Sequence, residues 1–394
     1  MSCVHCQHTA SYHADRARAV VGLVGLLHYQ RAYYYCRQCG HGLAPFDQQA
    51  GITSRQLTPA VERLATLTGA VGSSYERGAE LLAETASVRL SEATVQRTTE
   101  DVGDRIAALL AQGGVFGPAV RWPWHRDARD RTVAYFTLDA TGTRQQQPGG
   151  GKAEGRMAYV AGVYNPAPPE WLRPTGAAPP LRARYLSGLY PLAELGPLLR
   201  RQAAHVGMEQ AEVWIALTDG GNGLEAFCQQ NFNRADLVVI LDFYHAAEYL
   251  KALARVLHPQ QEEAAREQGE QWCRLLKAEG GAATLAVLRE WAWPARRSAA
   301  LREQWEKVEE YFTNNLHRME YPEYEAEGWC IGSGVVESAC KTVVAQRLKG
   351  AGMRWSEAGA HALCHVRALY RSEKGQWEAF WSGNWMKTKV YQLN

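Results

Sequence analysis

The spacing of hydrophobic and polar positions changes along the chain, and each change marks a segment. Between residue 57 and about 113 the apolar positions recur at helical spacing: Val61, Leu64, Ala65 and Thr68, then Ala79, Leu81 and Leu82. Pro59 after Thr58 suits the first turn of one helix, with Thr58 as its cap. Ser91 suits the cap of another, whose stripe is Val95, Val102, Ile106 and Leu109. Three such helices make a helix-turn-helix-like module over 51–113. The stretch GGVFGPAVRWPWHRD then breaks the pattern. Strand texture follows in TVAYFTLDATG, RMAYVAGVYN and ARYLSGL, with GTRQQQPGGGK and NPAPPEWLRPTGAAPP as loops. Next come a helix (PLAELGPLLRRQAAHVG), a strand (VWIALTDGG), a short helix, a strand (LVVILDF) and a helix (YHAAEYLKALARVL). That order predicts a mixed α/β sheet over 130–245. Residues 246–330 read as helices throughout, and helical texture resumes over 331–394.

A length of 394 residues accommodates two to four domains. With 46% hydrophobic and 21% charged residues, the bulk of the chain is neither disordered, collagenous nor coiled coil. The formal charge of +2 creates no global field, so a polyanion site has to be a local patch. One such patch runs from Ser338 to Arg371, with six Lys/Arg against one acidic residue, whereas 246–330 carries 15 acidic and 11 basic side chains. No run of eighteen apolar residues occurs, and MSCVHCQHTA lacks the layout of a signal peptide. The expectation is a cytosolic protein with no membrane partner.

Nine cysteines, an odd number spread over a long chain, fit a disulfide framework poorly and reduced thiols with a metal site well. Four of them form two CxxC pairs, Cys3/Cys6 and Cys36/Cys39, with 29 residues between the pairs. Each pair presents two sulfurs from one tight turn, and two pairs complete a tetrahedral thiolate site for a structural Zn2+. His5, His8 and His41 are the alternative ligands. The β-rich YQRAYYYC feeds the second pair. Residues 1–50 are therefore expected to form a zinc ribbon, which a metal stabilises because so short a segment builds little core.

In the helical module, Arg89, Thr94, Gln96 and Arg97 flank or lie on the helix that would reach base edges. Glu92, Glu100, Asp101 and Asp104 dilute its charge, which leaves a protein-contacting or dimerising role open. The strongest chemical signal is a set of carboxylates: Asp139 after VAYFTL, Asp219 after VWIALT, Asp242 after LVVIL, and Glu337 within GSGVVES. A carboxylate directly after a buried strand stands at the carboxyl edge of the sheet, where α/β folds carry their sites. Clustered carboxylates repel one another, and divalent cations relieve that repulsion. Hard oxygen ligands suit Mg2+, and a pair of ions suits phosphoryl transfer. The nucleotide-binding motifs GxxxxGK[ST] and GxGxxG are absent, as is the GxSxG elbow.

TLDATG, LTDGGNG, LDFYHAAEYL and GSGVVESACKTVVAQRLKGAGMRWS, in that order, resemble the catalytic blocks of the DDE transposases of ISKra-type bacterial insertion sequences. The resemblance covers roughly Thr132 to Arg371, and its last block is the most specific. It implies a ribonuclease H-like core (130–245 and 331–394) interrupted by an all-helical insertion (246–330). It further implies Asp139, Asp219 and Glu337 as catalytic ligands of two Mg2+ or Mn2+ per active site. Asp242 and His245 would form an auxiliary D-x2-H motif. The loop GTRQQQPGGGKAEGR departs from the family in being short and Gln/Gly-rich.

Lys341, Arg347, Lys349 and Arg354 follow Glu337, and the expectation is that they hold DNA phosphates. Trp329 and Trp355 are expected in the core or a lid, with base stacking as the alternative. The implied activity is nicking at terminal inverted repeats followed by strand transfer into target DNA. The implied partner is double-stranded DNA, and the implied assembly a homodimer or higher oligomer in a nucleoid-associated synaptic complex. The competing readings are a ribonuclease H-like structure-specific nuclease and a non-catalytic, domesticated DNA-binding regulator.

Overall fold

The computed structural model describes residues 1–146, 154–167, 169–172, 181–221, 223–294 and 298–387. Residues 147–153 and 173–180, in the two long predicted loops, lie outside the described residues. The chain divides into two compact units. One is Met1–Ala107 with Gln346–Arg367; the other is Ala108–Ala345 with Ala368–Asn394.

The first unit opens with the hairpin β1 (Ser11–Gly22) and β2 (Gly25–Tyr35), extended by the short β3 (Gly42–Leu43). Only β2 was expected. β1 is largely exposed, so it carries no apolar alternation to announce it. Asp47 of α1 (Pro45–Gln49) pins the hairpin: it accepts from Tyr29 Oη and Arg31 Nε, each at 2.6 Å, and pairs with Arg18 at 3.3 Å. The three predicted helices follow as α2 (Pro59–Val71), α3 (Tyr75–Ala86) and α4 (Glu92–Ala111). Ser91 caps α4, its Oγ accepting from the Thr94 amide at 3.2 Å. Thr58 makes no side-chain cap, so α2 begins simply on Pro59 at N1. Val95, Val102 and Ile106 are buried as expected, but Leu110 rather than Leu109 continues the stripe inward.

In the second unit the chain runs through β4 (Gly114–Phe116), β5 (His125–Arg126), β6 (Thr132–Arg144), β7 (Gly155–Asn165) and β8 (Arg182–Gly188). It continues through α5 (Leu192–His205), β9 (Val213–Thr218), α6 (Leu224–Asn231), β10 (Leu237–Leu241) and α7 (Phe243–Leu257). These elements build a mixed sheet in the order β10-β9-β6-β7-β8, with β5 beside β6. β6, β9 and β10 are parallel, whereas β7 and β8 join by antiparallel pairing. β9 is buried at every residue because the sheet is covered on both faces. Tyr135, Ile215 and Ile240 share one core with Ala246 and Leu250 of α7. On the opposite side Phe136 stacks on Phe232 with ring centroids 4.0 Å apart.

The segment 246–330 is helical as expected, with α8 (Glu262–Arg289), α9 (Ala299–Asn315) and α10 (Tyr321–Ala326) following α7. α8 is broken at Gly280, whose φ of 79° suits glycine. The Gly281 amide there donates to the Met319 carbonyl at 3.0 Å. α11 (Gly334–Ala339) runs into a π-helical segment, Cys340–Ala345, then α12 (Gln346–Leu348), α13 (Glu357–Arg371), α14 (Gln376–Trp381) and β11 (Trp385–Lys387). The sequence pattern attaches residues 346–367 to the sheet, but the structure packs them with the helical module. Gly103 of α4 shows why: a Cβ there would fall 2.2 Å from the Ala362 carbonyl oxygen, so only glycine admits α13 so closely. Among the described residues, no helix is long and apolar enough to cross a membrane.

Candidate functional site

The four cysteines of the two CxxC pairs converge in the first unit. Their sulfur atoms all lie within 4.8 Å of one another, and Cys3–Cys39 and Cys6–Cys36 are each separated by 3.5 Å. A tetrahedral ion with bonds of about 2.3 Å sets sulfurs roughly 3.8 Å apart, so the cluster has the size of a metal cage. Two similar knuckles build it. The Cys3 amide donates to the His8 carbonyl at 2.8 Å and the Cys36 amide to the His41 carbonyl at 2.9 Å. The left-handed residues are Gln7 in one knuckle and Gly40 in the other. His8 and His41 direct Nδ1 at the carbonyls of Cys6 and Cys39, and His41 stacks on His5. The histidines therefore buttress the knuckles, and the sulfurs form the cage. The backbone amide of His5 helps hold the Cys3 thiol down at about 6. The His41 amide acts the same way on Cys39, yet burial and the neighbouring sulfurs push that thiol up to about 12. Four thiols this close do not ionise together without a cation between them.

The carboxylates lie in the second unit, and strand register aligns three of them. Thr137 pairs with Leu217, and Leu241 pairs with Thr218. Continuing those parallel registers puts Asp139, Asp219 and Asp242 in one row across β6, β9 and β10. Equal steps from Tyr135 and Ile215 give that row the face that α7 covers. Asp219 and Asp242 directly follow their strands, as expected. Asp139 does not end its strand: β6 runs on to Arg144, paired with β7 (Asp139 against Val160). The ladder to β9 ends earlier, at Thr137 against Leu217, which leaves one flank of Asp139 without a paired strand.

Asp139 is half-buried. Burial drives its pKa up and the charge of Asp219 adds to the rise, while the Cys340 thiol, the Ala140 amide and His245 oppose it. The Ala140 N–H donates to Oδ1 at 2.6 Å and the Cys340 S–H to Oδ2 at 3.2 Å. Asp219 Oδ1 accepts from the Gly221 amide at 2.9 Å. Its backbone carbonyl accepts from Tyr311 Oη at 2.9 Å, and Tyr311 stacks on Tyr249. Asp219 and His245 line an open cleft of about 640 Å³ whose far wall is Lys307, Glu310 and Asn314 of α9.

Asp242 is buried and fully engaged. It caps α7 by accepting from the Tyr244 amide at 3.0 Å, and it accepts from the Ser333 amide at 3.1 Å and from Ser333 Oγ at 2.6 Å. Its role is to tie the end of β10 to Ser333, the residue before α11, the helix that carries Glu337. Ser333 Oγ also lies 3.2 Å from Glu337 Oε1, and its single proton serves the shorter contact. Glu337 sits at the surface, yet partial desolvation raises its pKa, and the charges of Asp242 and Asp139 raise it further.

The donors of Asp139, Asp219 and Glu337 are hard, partly desolvated oxygens, the type that divalent cations take. Among the described residues, however, only the cysteine cluster has three or more ligand atoms all within 4.8 Å. The carboxylates are spread too widely for a single-ion cage.

The residues expected at a DNA surface divide. Arg89, Arg97, Lys341, Lys349 and Arg354 are exposed. Gln96 is half-buried and donates to Glu100 at 3.0 Å. Arg347 is a correction: at 1% exposure it lies in the interior of the first unit. Its Nε donates to the Gly69 carbonyl at 3.2 Å, and its guanidinium lies over the rings of Tyr75 (4.5 Å) and Trp355 (5.0 Å). Trp355 is a core residue, its Nε1 donating to the Leu348 carbonyl. Trp329 is half-buried and donates to Asp127 at 3.2 Å.

Ser333, Cys340 and Tyr311 were not anticipated. GSGVVESAC does contain the first two, but nothing in that string says which carboxylate each will meet. The sequence matches no protein-family model and no curated protein.

Proposed function

We propose that this protein is a DDE-type transposase that cuts the ends of an insertion sequence and joins them to target DNA, with a ribonuclease H-like core. The observation that carries the reading is the register row of Asp139, Asp219 and Asp242, with Ser333 linking Asp242 to Glu337. The resemblance requires a first Asp on the opening strand, a second after the fourth, a D-x2-H motif after the fifth and a Glu beyond a helical insertion. In support, Asp139 lies in the first of the strands β6–β10 of the mixed sheet, Asp219 follows the fourth and Asp242 the fifth, and Glu337 comes after α7–α10.

Asp139, Asp219 and Glu337 would hold two Mg2+ or Mn2+. When bound, such ions neutralise charge developing at phosphorus and activate the attacking oxygen. The chain's own contribution is positional. The Gly221 amide orients Asp219, the Ala140 and Cys340 donors orient Asp139, and Asp242 fixes the loop before Glu337. His245 stands where it favours the ionised Asp139. Hydrolysis and transesterification both proceed by in-line attack at phosphorus, so one site serves both. The cysteine cluster would hold structural Zn2+. The ribbon and helical module, with Arg89 and Arg97 exposed, would bind the terminal repeats, and synapsis of two ends calls for a dimer or larger assembly.

The test is cleavage and joining of a labelled duplex bearing the terminal inverted repeat, in Mg2+ or Mn2+, with Asp139→Asn and Glu337→Gln beside the parent. Metal-dependent joining that both variants lose is the expected result. Cutting without joining would make the protein a nuclease. End binding without reaction in the parent would make it a DNA-binding regulator.

A further inference from the structure

We propose that Cys340 is a positioning residue for Asp139, setting the affinity of the carboxylate site for its cation; the inference rests on the reading above. Past Thr137, β6 has lost its β9 neighbour, so the sheet no longer holds Asp139 on that side. Two donors hold it instead, the Ala140 amide on Oδ1 at 2.6 Å and the Cys340 thiol on Oδ2 at 3.2 Å. With one donor on each oxygen, the plane of the carboxylate is set before any ion arrives.

The fold aims the thiol deliberately. Cys340 is 8% exposed and opens the π-helical segment Cys340–Ala345, which packs against β6 and β7. Such wide turns inside helices recur at functional sites because they re-aim side chains. Glu337 stands three residues earlier, so one turn of helix directs its carboxylate and the thiol to the same side. The charge of Asp139 reaches Glu337. Cys340 thus lies against one proposed ligand and beside another.

The S–H bond of Cys340 takes one lone pair of Oδ2 and leaves the other for a cation, so the hydrogen bond persists when the ion arrives. The Asp139 carboxylate is held in place without being withheld from the metal.

The experiment titrates zinc-loaded, full-length protein with Mn2+, reading the free ion by electron paramagnetic resonance and the urea midpoint in parallel. Asp139→Asn should abolish the tightest Mn2+ binding. Cys340→Val, which keeps the shape and removes the donor, should weaken that binding about five-fold, the value of one modest hydrogen bond. Cys340→Ser should recover most of it. The inference is overturned if Asp139→Asn weakens binding while Cys340→Val does not, or if Cys340→Ser is as weak as Cys340→Val. If the parent binds no Mn2+, or Asp139→Asn changes nothing, the metal reading of the carboxylates falls and the inference with it. Should Cys340→Val lower the urea midpoint, Cys340→Ser against Cys340→Ala decides the same question at matched stability.

Discussion

Replacing Arg347 by alanine separates the two roles assigned to this residue, a phosphate contact in the sequence reading and an interior strut in the structure. The guanidinium lies over two aromatic rings, Tyr75 at 4.5 Å and Trp355 at 5.0 Å, and donates to the Gly69 carbonyl of α2. Each desolvated cation–π contact contributes about 1–2 kcal/mol, and the charged hydrogen bond about 1.5–3 kcal/mol. Burial works in the other direction, disfavouring the charged form, and one buried nitrogen, Nη2, has no hydrogen-bond partner. The net loss for Arg347→Ala is therefore about 3 kcal/mol, once the cavity offsets the relieved desolvation. Arg347→Met keeps the bulk and removes the charge, so about 1 kcal/mol is expected. Urea unfolding followed by circular dichroism measures both, with affinity for a duplex as the second readout. An Arg347→Ala protein with an unchanged unfolding midpoint and weakened, less salt-dependent DNA binding would refute the buried-strut reading and restore the phosphate contact.

Three further outcomes are expected. Mass spectrometry under native conditions should find one zinc per chain, lost in Cys36→Ser; chelation should expose the Ser11–Tyr35 hairpin to protease, and full protection without metal would contradict the cage. Ser333→Ala should lower stability by about 1.5–3 kcal/mol, because buried Asp242 loses the 2.6 Å donor; a change below about 0.5 kcal/mol would remove Ser333 as the link to Glu337. Stability should fall on acidification. Burial holds His125 and His205 down to about 4 and His365 down to about 3, with Arg184 adding to the effect at His205 and His361 at His365. The unfolded chain binds protons below about pH 6.5 that the folded chain refuses, so between 6.5 and 4 each histidine removes up to about 1.4 kcal/mol per pH unit. A urea midpoint that stays flat from pH 7.5 to 5 would contradict this.

The knuckles of the cysteine cluster were legible because their geometry is local: each CxxC turn is complete within six residues, and only their meeting required the hairpin between them. The helices of the first module and the strands ending at Asp219 and Asp242 were legible for the same reason, since burial on one face imprints a period on contiguous residues. β1 was not, because an exposed ribbon imposes no such period. Nor did any short string reveal that Asp139 lies mid-strand, since its position relative to β9 depends on register between segments some eighty residues apart in the chain. Arg347 illustrates the same limit. Its basic neighbours suggested a solvated patch, and only the approach of Tyr75 and Gly69 from the far end of the chain made it an interior group. Residue type and period record local preference and burial. Which donor meets which carboxylate is a property of packing between distant segments, and it is there that Ser333 and Cys340 acquire their partners.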